Sequence, residues 1–180
     1  MDLTEFVRGY SNIVSDELVE EMLTWFKSGE YSRIENPNRA TRKDIQKWVP
    51  VDSAVKKTML ASYLEEFPYA YRGNLELESE ETKIQRTDPK GGGFHNFHAE
   101  QSHYKNCRRV LVWTLYLNDI PEGEGETEFL YEKIRVQPKK GLGLVFPAGW
   151  QWQHRGNPVH TTSKYISTGW WLYPPEGKMD

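Results

Sequence analysis

The chain has 180 residues, a formal charge of −3 and an aromatic fraction of 13%, with seven tryptophans and ten tyrosines. That length suits one domain with a sizeable core, and the small negative charge gives no electrostatic reason to expect nucleic acid or an anionic membrane as a partner. A mean hydropathy of −0.76 with no long apolar run excludes a membrane-spanning helix, and Met1-Asp2-Leu3-Thr4-Glu5 lacks the basic-then-apolar pattern of a secretory signal.

Residues 1–12 read as an irregular or short extended lead-in. Ser15 can cap a helix running to about Ser28: Asp16, Glu17, Glu20 and Glu21 put negative charge at its start, Lys27 lies near its end, and Gly29 follows. Val19, Leu23 and Phe26, with Leu18 and Met22, make one face apolar. Residues 30–50, broken by Pro37 and Pro50, read as a loop with one short strand around Lys47-Trp48-Val49. A second helix begins at Asp52 or Ser53 and ends near Phe67, with Val55, Met59, Leu60, Tyr63 and Leu64 on its apolar face. Both helices read as packing elements.

From Leu75 the period changes to that of strands. Residues 82–87 form one, Asp88-Pro89-Lys90-Gly91-Gly92-Gly93 is a turn, and a strand through His98 follows. The lone Cys107 cannot form an internal disulfide and reads as a bystander in a reducing cytoplasm. Residues 109–117 are apolar on both faces and therefore buried on both. Shorter strands are expected at 127–129 and 142–146, with residues 135–138 leading into a turn at Lys139-Lys140-Gly141; Pro147-Ala148-Gly149 breaks the chain before His154, and a last strand covers 164–173. Two helices followed by many short strands indicate a mainly β, helix-flanked sandwich or jelly roll, with no internal repeat and no domain boundary.

The stretch Phe94-His95-Asn96-Phe97-His98-Ala99-Glu100 carries the chemistry. In a strand, His98 and Glu100 emerge on one face, and His154 from another strand completes two histidines and a carboxylate. That set binds an octahedral Fe(II) through three positions and leaves three open. His95, at odd spacing, is expected on the opposite face. In the last strand Lys164, Ile166, Thr168 and Trp170 share a face; a lysine buried there requires an anion, whereas at the strand's start its head could equally sit in water. Glu122, Glu124 and Glu126 read as a solvated acidic turn, His103 and His160 as loop residues, and Arg155 as either a rim contact or a solvated arginine.

His154-Arg155-Gly156-Asn157-Pro158-Val159, Lys164 ten residues after the histidine, and Gly169-Trp170 together resemble the C-terminal signature of the prolyl 4-hydroxylase-like 2-oxoglutarate/Fe(II) dioxygenases. Tyr116-Leu117-Asn118-Asp119, Gly125-Glu126-Thr127-Glu128-Phe129, Pro138-Lys139-Lys140-Gly141 and Phe146-Pro147 match the same family in order, so the resemblance spans residues 80–173. It is closest to short members from bacteria and their viruses. It implies a double-stranded β-helix core at 80–173 with residues 1–75 as helical support, in one oxygenase domain over 1–180. It also implies a cytoplasmic enzyme of a bacterium or a phage-infected host cell.

The resemblance makes His98, Glu100 and His154 the iron ligands. It gives Lys164 the distal carboxylate of 2-oxoglutarate, with Thr168, Tyr116 and Trp170 lining the same pocket and Thr127 a weaker wall candidate. The implied cofactors are Fe(II), 2-oxoglutarate and O₂, with ascorbate a further candidate. The implied reaction hydroxylates an unactivated C–H bond as 2-oxoglutarate becomes succinate and CO₂, on a prolyl residue of a peptide or protein. Residues 30–50 and 66–80 are candidate substrate-facing loops. Two alternatives stay open: a related oxygenase acting on a free amino acid or small molecule, and a non-catalytic jelly-roll binding module. Three positions depart from the family pattern. Glu100 stands where aspartate is usual, which still argues against the related halogenases. Pro89 stands where many members have tyrosine, leaving Gln85 or Thr87 as substitutes. Gly169 replaces a second lysine.

Overall fold

Ser15 begins the first helix as its side chain predicts. α1 spans Asp16–Lys27, the Leu18 amide donates to Ser15 Oγ at 3.3 Å, and the Ser28 amide closes the far end on the Thr24 carbonyl at 2.9 Å. Val19, Met22, Leu23 and Phe26 form its buried face. α2 covers Ser53–Glu66 and buries Val55, Met59 and Tyr63. The computed structural model describes residues 5–28, 33–34, 43–48, 53–70, 76–77 and 82–174; much of the two candidate substrate loops, with Gly29 and Pro50, lies outside them.

The described strands in chain order are β1 (Arg8–Tyr10), β2 (Arg33–Ile34), β3 (Ile45–Trp48), β4 (Glu76–Leu77), β5 (Lys83–Thr87), β6 (Arg109–Tyr116), β7 (Thr127–Phe129), β8 (Ile134–Val136), β9 (Gly143–Pro147), β10 (His154–Gly156) and β11 (Lys164–Leu172). They form two antiparallel sheets. The larger runs β1-β9-β6-β11-β5-β3-β2, with β4 on the far part of β11; the smaller runs β10-β7-β8. β6 and β11 lie at the centre of the larger sheet, where both faces are covered, which is why residues 109–117 read as apolar throughout.

Two apolar clusters follow from this layering. Leu111, Trp113, Leu115, Val145 and Trp171 face the helices and pack on Val19, Met22, Phe26, Met59 and Tyr63. Val112, Tyr116, Phe129, Leu144 and Phe146 fill the space between the sheets. The two alternating sets of β11 divide between these layers. Tyr165 and Trp171 join the helix-side cluster, while Ile166 and Trp170 pack on the inter-sheet cluster. This is the jelly roll expected from the strand pattern.

One expected strand is absent. Residues 94–101 form isolated bridges and no ladder; the bridge at His98 pairs it with His154, and each amide donates to the other's carbonyl at 3.0 Å. The pairing goes no further because the Asn96 carbonyl lies against the His98 ring and the Gln101 amide leaves for the Ala148 carbonyl.

Candidate metal centre

The His98–His154 bridge places two imidazoles side by side at the mouth of the inter-sheet space, with ring centroids 4.5 Å apart. The bend at residue 100 turns Glu100 toward them: Oε1 lies 3.3 Å from His98 Nε2 and 3.9 Å from His154 Nε2. One ligand atom from each of the three lies within 4.8 Å of the others, and no other such group of metal-capable side chains occurs among the described residues. Each histidine's Nδ1 faces a carbonyl, Asn96 for His98 at 2.9 Å and Trp152 for His154 at 3.0 Å. A carbonyl only accepts, so Nδ1 carries the proton and Nε2 presents its lone pair to the common point.

Glu100 is held from behind. Its other oxygen, Oε2, accepts from Arg109 Nη1 and from Trp170 Nε1, both at 3.0 Å, and the Arg109 guanidinium stacks 3.6 Å from the centroid of the Trp170 ring. Burial opposes ionisation of Glu100, but His98, His154 and Lys83 outweigh it and hold the carboxyl well below the usual carboxylate range. Burial, and then the neighbouring His98, push the His154 imidazole down to about 4 against the pull of Glu100. His154 is packed among Phe129 and Phe146 and is neutral, the form a metal requires. Two neutral imidazole nitrogens and one carboxylate oxygen, with the remaining directions opening on a cavity, fit a ferrous ion held on one face.

The cavity holds about 220 Å³ and runs from this cluster to Lys164. Gln85, Lys164, Thr168 and Trp170, all expected site residues, line it, as does Thr127. Lys164 is 4% exposed and donates to the Gly125 carbonyl at 2.7 Å, so the reading that left its head in water does not hold. Burial pulls its pKa down to about 8, with the Glu126 charge acting the other way. Thr168 Oγ1 donates to the Trp113 carbonyl at 2.8 Å, which leaves only its lone pairs toward the cavity. Tyr116 is placed differently: it is fully buried, its hydroxyl lies 2.7 Å from Thr127 Oγ1, and it stands behind the cavity wall.

Three further wall residues, His95, Asp44 and Lys83, were not anticipated from spacing, whereas Arg155 was expected as either a rim contact or a solvated arginine. His95 lines the cavity, its Nδ1 2.6 Å from the Gly156 carbonyl and its Nε2 2.7 Å from the Gly92 carbonyl, because residues 94–101 do not alternate as a strand. It remains outside the three-residue cluster. Asp44, immediately before β3, and Lys83 on β5 also line the cavity. Arg155 is a wall residue tied to Glu128 Oε2 through Nε at 2.9 Å and Nη2 at 2.7 Å. Glu124 and Glu126 are buried, not a solvated turn; Glu124 caps the amide of Thr161 at 3.0 Å. Arg109 had one available signal: a charge opening an otherwise apolar strand.

A family model described as "2OG-Fe(II) oxygenase superfamily" matches residues 61–172. The chain belongs to the 2OG-Fe(II) oxygenase superfamily. It is therefore a dioxygenase whose cofactors are Fe(II), 2-oxoglutarate and O₂, and not a non-catalytic binding module. Solved structures share its fold at low identity. A viral collagen prolyl hydroxylase from Paramecium bursaria Chlorella virus-1, in its 2-oxoglutarate complex, is 20% identical with a TM-score of 0.71, covering 94% of this chain and 97% of that one. A Pseudomonas putida prolyl-4-hydroxylase is 21% identical with a TM-score of 0.66, over 96% and 95%. A Trichoplax adhaerens prolyl hydroxylase, solved with a hypoxia inducible factor peptide fragment, is 16% identical with a TM-score of 0.68, over 94% and 84%. No curated protein matches by sequence. Among the described residues of this oxygenase, no helix is long and apolar enough to cross a membrane.

Proposed function

We propose that this oxygenase hydroxylates a prolyl residue in a peptide or protein, using His98, Glu100 and His154 as iron ligands and Lys164 to hold the distal carboxylate of 2-oxoglutarate. The observation that carries the site reading is the cavity itself, with a metal-competent triad at one end and a buried ammonium at the other. A dicarboxylate offers one end to a metal at the triad and, at the other, the anion that a buried lysine requires. The prolyl substrate is supported by the fold neighbours, each described as a prolyl hydroxylase. We read residues 1–180 as one oxygenase domain.

When bound, Fe(II) with 2-oxoglutarate and O₂ supplies the oxidising power that converts C–H to C–OH while 2-oxoglutarate becomes succinate and CO₂. The protein's residues do the positioning. The Asn96 and Trp152 carbonyls fix the tautomers of the two histidines, while Arg109 and Trp170 fix the carboxylate. Lys164, Gln85 and Thr127 shape the pocket that orients the co-substrate.

The test is anaerobic titration of the Fe(II)-loaded protein with 2-oxoglutarate, following the visible metal-to-ligand charge-transfer band, beside His154→Ala and Lys164→Ala. The band should appear in the wild type and be lost or weakened in both variants. Proline-containing peptides should then gain one oxygen in mass only in air. Bound iron with no band refutes the site reading; a band without peptide oxidation refutes the substrate.

A further inference from the structure

Lys164 is accompanied at its end of the cavity. Its ammonium donates to the Gly125 carbonyl, and the next residue, Glu126, is 7% exposed. Gly125 has a φ of +70°, and a Cβ there would lie 2.9 Å from Val159 Cγ1 and 3.5 Å from Lys164 Cδ, so the backbone crosses directly over the lysine stem. Glu126 is fixed by Asn157, which donates from Nδ2 to Oε2 at 3.4 Å and from its amide to the Glu126 carbonyl at 2.8 Å. A carboxylate and an ammonium are thus both buried around one short stretch of backbone, and neither has bulk water to neutralise it.

The other titratable groups around this end are placed differently. Asp44 comes from the residue before β3, His95 is engaged by two carbonyls, and Arg155 is bonded to Glu128. Asp88, beyond Thr87 on β5, accepts from Ser163 Oγ at 2.7 Å. Two acidic residues flank the Gly125 that Lys164 bonds: the Glu124 carboxylate is taken up by the amides of His160 and Thr161 and by the Thr161 hydroxyl, and Glu126 is held, among the described residues, by Asn157 alone.

We propose that Glu126 is a positioning residue: the resident counter-ion that keeps Lys164 an ammonium before the co-substrate binds, and then shares it with the distal carboxylate. This rests on the reading of Lys164 given above. Two effects of opposite sign follow. Glu126 preserves the positive charge that attracts the dicarboxylate, and its own negative charge repels that same anion. Removing the charge therefore weakens co-substrate binding where Lys164 would deprotonate and strengthens it where Lys164 is charged regardless. A merely structural role would displace affinity by one factor at every pH.

The experiment uses Glu126→Gln and Glu126→Asp in the full chain. In metal-free protein, the Lys164 ammonium is followed by NMR of ¹⁵N-lysine against pH, its signal assigned by its loss in Lys164→Arg. The midpoint, about 8 in the wild type, should fall by about one pH unit or more in Glu126→Gln and be largely restored in Glu126→Asp. In Fe(II)-loaded protein, 2-oxoglutarate should bind Glu126→Gln several-fold more tightly than wild type near pH 6 and several-fold more weakly near pH 9. An unmoved midpoint, or affinity curves displaced equally at both pH values, overturns the proposal. If Glu126→Gln does not fold, Asn157→Ala, which releases the Glu126 side chain, must lower the midpoint, and an unchanged one overturns the proposal equally. A midpoint that responds to Glu126 in a wild type that binds no 2-oxoglutarate would instead sink the reading of Lys164 as its ligand and keep the counter-ion.

Discussion

Glu100→Asp restores the residue usual in the resembled family, and the structure predicts that it harms metal binding. Oε1 of Glu100 faces both histidines while Oε2 is anchored by Arg109 and Trp170, each at 3.0 Å. Removing one methylene shortens the side chain's reach by about 1.5 Å, the length of one C–C bond, whereas ligand distances tolerate only about 0.2 Å. The carboxylate must then give up either the metal or its two anchors. A hydrogen bond to a charged group contributes about 1.5–3 kcal/mol, so one surrendered anchor corresponds to a loss of about 10- to 100-fold in metal affinity. The assay is anaerobic competition for Fe(II) against a chromophoric chelator, with Glu100→Gln as the control that keeps length and removes charge. Affinity at least about tenfold below wild type is expected for Glu100→Asp. Affinity within about twofold of wild type would refute the argument that the anchors dictate the length of this side chain, because it falls inside the scatter of a single weak contact.

The anchors themselves can be tested: Arg109→Met should lower Fe(II) affinity about 10- to 100-fold by the same assay. Combined with Trp170→Phe it should be non-additive, because the guanidinium rests on that ring. Lys164 has its pKa lowered to about 8 by burial, so its charge is present below that pH and lost above it. The affinity for 2-oxoglutarate in calorimetry should accordingly fall about tenfold per pH unit above the midpoint, and Lys164→Arg, which stays charged, should abolish that slope. At Gly169 an added Cβ would lie 2.8 Å from Trp113 Cζ2 and Nε1. Gly169→Ala should destabilise the fold by about 1–3 kcal/mol, read as a lower denaturation midpoint with unchanged slope. This also explains why no second lysine occupies the position: its Cα faces the helix-side core rather than the cavity.

The legible parts of the fold were those with local causes. α1 was readable because a capping serine, acidic first turn and apolar face agree, and β11 because its two alternating sets enter two different environments. β1, β2 and β4, of two or three residues, carry no period that could announce them; they exist through pairing with β9, β3 and β11. At the site, the two histidines, the carboxylate and Lys164 were visible as residues, but not their supports. Arg109 reaches Glu100 across nine residues and Trp170 across seventy. Glu126 read as a solvated charge because its burial is created by the 125–126 backbone crossing Lys164 and by Asn157, neither of which is local.

The strand assumed for residues 94–100 was the wrong route to the right cluster, and the difference has a physical consequence. Alternation along one strand would aim His98 and Glu100 by local geometry alone. Instead, the imidazoles meet because His98 and His154 are paired across the bridge, and Glu100 joins them because Arg109 on β6 and Trp170 on β11 pull its outer oxygen into place. β10 belongs to the smaller sheet, whereas β6 and β11 belong to the larger one. The triad is therefore assembled only when the two sheets close on each other. A ligand that binds only this closed state stabilises it by mass action, so metal binding here is coupled to closure of the whole sandwich rather than to one preformed strand.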